Sequence, residues 1–510
     1  MTNLCAALVT AKERNPHGVA LRLDEVELTF AELDAAAGRV ATLLDRAGVG
    51  SGDRVGVMLP NTPAFAVAFY AILYRGAIVV PINPLLKSGE VDHHLADSGA
   101  KALFVAAEFA AEATAVADQK GVRYWVVDDA GLAVLTDDLP GQESPAQCGD
   151  DDAAVVLYTS GTTGRPKGAM LTHGGMGRNA DVALRTLLEV GPDDVLMGCL
   201  PLFHVFGLNL GLLVAVSAGA TLTLMSRFEP RKALEVIDRD AVTVFAGVPT
   251  MYAALLNVAG EAAPGTAKTL QTCLCGGAPL PVQLLTEFEK EFGCRILEGY
   301  GLSESSSAAS FNHPNRPRKA GSIGTPIEGV EMRVVGADGT EVAPGQTGEI
   351  QIRGHNVMKG YWNRPAATAA TITADGWLNT GDVGRVDADG YFYVVDRTKD
   401  VIIRGGYNVY PREIEEVLYA HPAVAEAAVI GVPHDSLGEE VGAAVTLKTG
   451  ALADPNELRE YVKARVAAYK YPRRVWLIDA LPKGPTGKVQ KRDIRIFASE
   501  TAVSPTNISD

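Results

Sequence analysis

The apolar positions of this 510-residue chain change period along its length, and each change marks a different kind of structure. Thr29-Phe30-Ala31-Glu32 forms a capping box, in which Thr29 accepts a backbone N–H and Glu32 reaches back to the chain before the helix. Phe30, Leu33, Val40, Leu43 and Leu44 then lie on one helical stripe, which Gly48 stops. Short apolar runs follow at residues 54–59, ended by Pro60, and at 77–81. Such runs between helices predict buried, largely parallel strands with helices on both faces, a doubly wound α/β arrangement.

After about residue 320 the pattern becomes alternating. Gly348-Glu349-Ile350-Gln351-Ile352-Arg353-Gly354 reads as a half-buried antiparallel strand, and residues 390–396 read alike. A small, barrel-like β-rich region is therefore expected over about 320–396. From about Lys399 a separate α+β unit begins, with a helix at 411–419, strands at 424–432 and 442–447, and a helix at 455–469. It ends in a basic cluster of Lys470, Arg473, Arg474, Lys483, Lys488, Lys491 and Arg492. The last ten residues read as a frayed tail, and no internal repeat is visible.

Composition narrows the class. Apolar residues make up 47% and charged residues 21%, as in ordinary globular proteins, and the length calls for more than one domain. The net charge is −15, from 46 basic and 61 acidic side chains. That balance argues against a duplex nucleic-acid binder, which needs basic patches, so any anionic substrate must be met by local cations. Six cysteines are too sparse for a disulfide scaffold and read as buried, reduced thiols of a cytoplasmic protein. The N-terminal stretch MTNLCAALVTAKERNPHG lacks a basic region followed by an apolar one, so no signal peptide is expected. Residues 205–225 carry no charge and have the length of a membrane span. Gly207, Gly211 and Ser217-Ala218-Gly219 interrupt them, and they read as a buried helix followed by a strand, with no integral membrane span.

The strongest chemical signal is Tyr158-Thr159-Ser160-Gly161-Thr162-Thr163-Gly164-Arg165-Pro166-Lys167-Gly168, after the apolar run 153–157. Its glycines let the backbone wrap an anion, its hydroxyls and N–H groups supply donors, and Lys167 adds charge. Pro166 separates the lysine from the preceding glycines, so this is not a Walker A loop. Further strings are weaker singly: Pro201-Leu202-Phe203-His204, Gly276-Gly277-Ala278-Pro279, Glu298-Gly299-Tyr300-Gly301-Leu302-Ser303-Glu304, Trp377-Leu378-Asn379-Thr380-Gly381-Asp382, Asp396-Arg397-Thr398-Lys399-Asp400, Gly405-Gly406-Tyr407 and Leu481-Pro482-Lys483-Gly484-Pro485-Thr486-Gly487-Lys488. Alone, His204 reads as a satisfied core histidine and the others as polar turns. In this order they resemble the signatures of the adenylate-forming superfamily (acyl-CoA synthetases, luciferases and peptide-synthetase adenylation domains), over residues 29–493. Ser303 stands where that family usually has threonine, and the hydroxyl is kept.

The resemblance implies an N-terminal core over 1–396, a hinge over 397–400 centred on Lys399, and a small mobile C-terminal domain over 401–510. It implies that Thr159, Ser160, Gly161, Thr162, Thr163, Gly164 and Lys167 hold phosphate, with Thr163 among the catalytic groups. Gly277, Ala278, Pro279, Glu298, Gly299, Gly301, Ser303, Val394 and Arg397 would border the nucleotide. Tyr300 would stack on adenine and Asp382 would hold the ribose. Glu304 and Thr159 would bind Mg2+, a hard cation that prefers oxygen ligands. His204 would act where acid and phosphate meet, beside an acyl pocket of Val205, Phe206, Gly247, Gly276 and Gly299, the last leaving room. Gly405, Gly406 and Tyr407 would guide coenzyme A, and Lys488 would be the catalytic lysine.

The implied reaction is ATP-dependent formation of an acyl adenylate and transfer of the acyl group to coenzyme A. The expected partners are a small carboxylic acid, ATP and coenzyme A, with a homodimer and docking of a surface patch on lipid left open. His204 stands where amino-acid-activating relatives carry aspartate, and Val205, Phe206 and Gly207 offer no arginine for a dicarboxylate. A medium- or long-chain fatty acid is expected, with an aryl acid of coumarate or benzoate type as the alternative. Loading of a carrier protein, or a non-catalytic nucleotide-binding scaffold, are the other readings, and a scaffold would be expected to lose Lys488, Glu304 or Asp382.

Overall fold

The computed structural model describes residues 3–127, 131–132, 135–159, 165–260, 266–397, 400–434, 436–484 and 487–494. The first predicted helix forms over Phe30–Arg46: the Glu32 N–H donates to Thr29 Oγ1 at 3.2 Å, and the Thr29 N–H donates to Glu32 Oε2 at 2.8 Å. Phe30, Leu33, Val40 and Leu44 are buried on its inner face, and Gly48 takes the left-handed conformation just beyond its end.

Two large sheets carry the core. One has nine strands, with Arg295–Tyr300, Thr272–Cys275, Val244–Gly247, Val195–Gly198 and Thr221–Leu224 running parallel at its centre. The other has seven, with Ala153–Thr159, Ile78–Pro81, Arg54–Met58, Ala102–Ala106 and Arg123–Val127 parallel and Lys167–Thr172 antiparallel at one side. The central strands are apolar on both faces because helices cover both. Helix Pro63–Tyr74, almost wholly buried and hydrophobic all round, is one such cover.

The β-rich region is a four-stranded antiparallel sheet of Val330–Val335, Gly348–Gly354, Leu378–Val386 and Phe392–Arg397. The C-terminal unit contains helix Pro411–Tyr419 and a five-stranded sheet in which Val424–His434 pairs with Gly438–Leu447. Its second helix is shorter than the periodicity suggests, covering Pro455–Lys463 rather than 455–469. The Arg465 and Val466 N–H groups both turn back to the Val462 carbonyl, and the chain then leaves the helix so that Tyr469 stacks on Tyr407 with ring centroids 4.8 Å apart.

Residues 205–225 form a π-helical segment, Gly207–Leu213, continued by helix Val214–Ala218 and strand Thr221–Leu224. No helix among the described residues is long and apolar enough to cross a membrane. All six cysteines are free thiols, but only five are buried: Cys148 is partly exposed, because it lies in the chain leading to strand Ala153–Thr159.

His173 pins the N-terminal helix to this core. It is buried, its Nδ1 accepts the Leu4 N–H at 3.2 Å, and burial holds its pKa down at about 4 from the ordinary 6.5. Between those two values an unfolded His173 binds a proton that the folded one refuses, so stability rises with pH across that window and is lost as pH falls through it. The expected contribution is about 2 kcal/mol between pH 7 and pH 5. Urea unfolding of wild type and His173→Gln at both pH values checks it: the variant should lose that much less on acidification, and equal losses would refute the assignment.

Candidate active site

A cleft of about 1440 Å³ lies where the C-terminal ends of strands from both large sheets meet the β-rich region and the C-terminal unit. Open α/β sheets present ligand sites at this end of their strands. Strand Ala153–Thr159 ends in Thr159, and Lys167 begins the next strand directly opposite it. The two bracket the predicted phosphate loop, whose residues Ser160, Gly161, Thr162, Thr163 and Gly164 lie outside the described residues. Thr159 Oγ1 donates to Glu304 Oε1 at 3.3 Å, which brings together the two groups expected to share a cation.

Glu304 has a second partner that no motif signals. The Tyr361 hydroxyl donates to the same carboxylate oxygen at 2.9 Å, and Lys167 Nζ sits 5.1 Å from the centre of the Tyr361 ring. Tyr361 reaches the site through a two-residue strand paired with Lys167–Thr172, a long-range contact with no local signature.

Gly276, Gly277, Gly299, Tyr300, Gly301 and Ser303 line the cleft as expected. Gly301 is forced: a Cβ there would lie 1.4 Å from the Ser307 carbonyl oxygen, where the chain folds back with Ser306 and Ser307 at φ of 51° and 99°. The Tyr300 hydroxyl donates to Asp382 Oδ2 at 2.5 Å, so the adenine-side and ribose-side candidates are joined across two sheets. Arg397 is the register partner of Asp382.

Several expected residues stand elsewhere. Ala278 and Pro279 do not line the cleft, because the turn presents its two glycines there. Glu298 is buried beneath that turn, where Oε1 accepts the Leu280 N–H at 3.3 Å and burial pushes its pKa up to about 7. Val394 packs into the small core of the β-rich sheet. Gly247 is shut off by Phe245, and its neighbour Val248 lines the cleft instead. The room that Gly299 was expected to leave is taken by Phe311, whose ring atoms would stand 2.3 Å from a Cβ at that position. Lys399 lies outside the described residues. Gly405, Gly406 and Tyr407 are exposed on a hairpin turn and are not part of the cleft lining.

Lys488, by contrast, faces into the cleft. Its loop is a tight hairpin, with Gln490 N–H on the Pro482 carbonyl and Gly484 N–H on the Lys488 carbonyl, both at 2.8 Å. The Thr250 hydroxyl donates to the Gly487 carbonyl at 3.0 Å, anchoring the residue before the lysine to the core. Thr250 was not singled out from the sequence. His204 also lines the cleft; burial first, and Lys488 second, lower its pKa to about 4. Its Nδ1 accepts the Phe206 N–H at 3.3 Å, so the neutral ring carries its proton on Nε2.

Comparisons with known proteins identify the family. The AMP-binding enzyme model matches residues 8–362 and the AMP-binding enzyme C-terminal domain matches 413–488. A feruloyl-CoA synthase of Amycolatopsis sp is 41% identical, covering 94% of this chain and 96% of the relative. A long-chain-fatty-acid–CoA ligase of Bacillus subtilis is 36% identical over 98% and 94% of the two chains. Among solved structures, ATP-bound MatB from Rhodopseudomonas palustris superposes with a TM-score of 0.91 at 34% identity, covering 98% and 99% of the two chains. Fold, site and relatives define an acid–CoA ligase of the AMP-forming class. The chain belongs to the AMP-binding enzyme family.

Proposed function

We propose that this chain activates a hydrophobic monocarboxylic acid, in the first place a medium- or long-chain fatty acid, and transfers it to coenzyme A. The observation that carries the reading is the acyl side of the cleft. Beside His204 it is walled by the apolar side chains of Val205, Phe206, Leu210, Val248 and Phe311. Peptide-like and dicarboxylic acids would leave a desolvated charge there.

In the first half-reaction a carboxylate oxygen attacks the α-phosphorus of ATP, and pyrophosphate leaves with the P–O electron pair. The obstacle is charge, since an anion approaches a polyanion. Lys167 and Lys488 offset it from two sides of the cleft, and neutral His204 offers its Nε2–H to the acid. Glu304 and Thr159 are adjacent oxygen ligands, and no cluster of three or more His, Cys, Asp or Glu stands among the described residues. Such a sparse set suits Mg2+ that arrives on ATP phosphates. Bound there, it would neutralise phosphate charge. In the second half-reaction the sulfur of coenzyme A attacks the acyl carbon, the C–O bond to AMP breaks, and the thiol proton is lost. Rotation of the C-terminal unit about the hinge would withdraw Lys488 and bring Gly406 to the cleft between the two steps.

AMP and pyrophosphate release across acids from acetate to palmitate, benzoate and coumarate, with and without coenzyme A, tests this. The expected outcome is turnover that peaks with a fatty acid and requires coenzyme A. Adenylate without thioester would favour a carrier-protein acceptor. A second reading, an aryl acid, is favoured by the rings of Phe206 and Phe311 close beside Gly276 and Gly299, together with the feruloyl-CoA synthase relative. Phe311 also sets the reach of the pocket. Phe311→Ala should shift kcat/KM toward longer acids by about tenfold, the value of one or two extra methylenes in an apolar pocket. An unchanged chain-length profile would remove Phe311 from specificity.

A further inference from the structure

Arg412 belongs to the C-terminal unit, yet its hydrogen bonds go to the core. Its Nη1 donates to the Val394 carbonyl at 2.6 Å and its Nη2 to the Gly321 carbonyl at 3.4 Å. Its backbone N–H donates to Asp396 Oδ2 at 3.1 Å. Its Nη2 also lies 3.9 Å from Glu298 Oε1, while Oε2 of that carboxylate has no hydrogen-bond partner among the described residues. One turn further along helix Pro411–Tyr419, Glu416 accepts the backbone N–H of Val282, again from the core. The arginine side chain is only 11% exposed. A buried arginine that satisfies its fork on carbonyls and a carboxylate does so in one geometry.

We propose that Arg412 is a positioning residue: it clamps the C-terminal unit in the orientation that holds Lys488 in the cleft. The inference rests on the two-orientation reading above. Every core partner of Arg412 lies before the hinge, so rotation about the hinge strips the guanidinium of them together. It also leaves Glu298 buried without its cation, which is costly in a desolvated setting. The clamp therefore biases the enzyme toward adenylate formation and must be released before thioester formation.

The test measures the two half-reactions separately: ATP–pyrophosphate exchange, and thioester formation from supplied acyl adenylate and coenzyme A. Arg412→Met should lower exchange about 10–100-fold through kcat, the range a population shift of this kind commands. Thioester formation should stay within about threefold of wild type or rise, which doubles as the control for folding. Arg412→Lys should recover part of the loss. Adding Glu298→Gln to Arg412→Met should change exchange no further, because without the guanidinium the buried carboxylate is uncompensated in both orientations. Equal loss in both half-reactions, unchanged exchange in Arg412→Met, or a further loss in the double variant would each overturn the clamp. If wild type itself makes no thioester, the proposed function falls, and exchange in Arg412→Met and Arg412→Lys then decides the clamp alone.

Discussion

Lys488→Ala should slow acyl-adenylate formation by on the order of 10²–10³, the usual cost of losing one preorganised cation or donor at developing charge. Thioester formation from supplied adenylate should stay within about threefold. The asymmetry follows from where the lysine sits. It enters the cleft on a hairpin of the C-terminal unit, where the Thr250 hydroxyl of the core donates to the Gly487 carbonyl. With the rotation proposed above, the lysine serves one step and is absent from the other. The structure adds a second signature: Lys488 helps to hold the His204 pKa down, so alanine should let that pKa rise. NMR titration of the His204 ring would show the rise, and single-turnover rates would show the split. Equal loss in both half-reactions would mean that the lysine maintains the cleft rather than acting on phosphate.

Gly301→Ala should cripple both half-reactions, by more than about a hundredfold each. The added methyl would meet the Ser307 carbonyl oxygen at 1.4 Å, and a backbone carbonyl in a tight loop cannot swing aside as a side chain can. Relief requires moving residues 300–308, which carry Tyr300 on one side and Glu304 on the other. The first holds Asp382 and the second meets Thr159 and Tyr361, so nucleotide contacts and cation ligands should shift together. The variant should melt at a lower temperature than wild type and lose ATP affinity by calorimetry. A folded variant with exchange within tenfold of wild type would show that the loop yields.

Local signals carried most of the architecture. The Thr29–Glu32 box, the helix over Pro411–Tyr419 and the strand over Gly348–Gly354 all depend on near neighbours, and each forms as expected, although Gln351 is buried between Ile350 and Ile352 where the alternation would expose it. The strand-end motifs likewise bring Thr159, Tyr300, Glu304, His204 and Lys488 to one cleft. What stayed hidden depends on distant chain. Tyr361 and Thr250 become functional neighbours only through pairing or docking, and Phe311 reaches Gly299 through an antiparallel edge strand. Glu298 misleads for the converse reason: it sits inside a recognisable string, but the turn above it closes it off from solvent. The overlong helix after Pro455 reflects a sequence with no breaker near Lys463, while the chain beyond the exit carries Tyr469 onto the distant Tyr407.

The cations of the cleft sit in a molecule whose net charge is −15. At distances beyond about 10 Å in ordinary salt, their attraction is screened and the surface as a whole is anionic. A polyanion too large to reach inward would meet that net negative field alone. A compact triphosphate that diffuses into the cleft meets Arg165, Lys167, Lys488 and Arg492 among its lining residues. Admission would thus depend on size as well as on charge, the exterior setting a coarse filter against long anionic polymers.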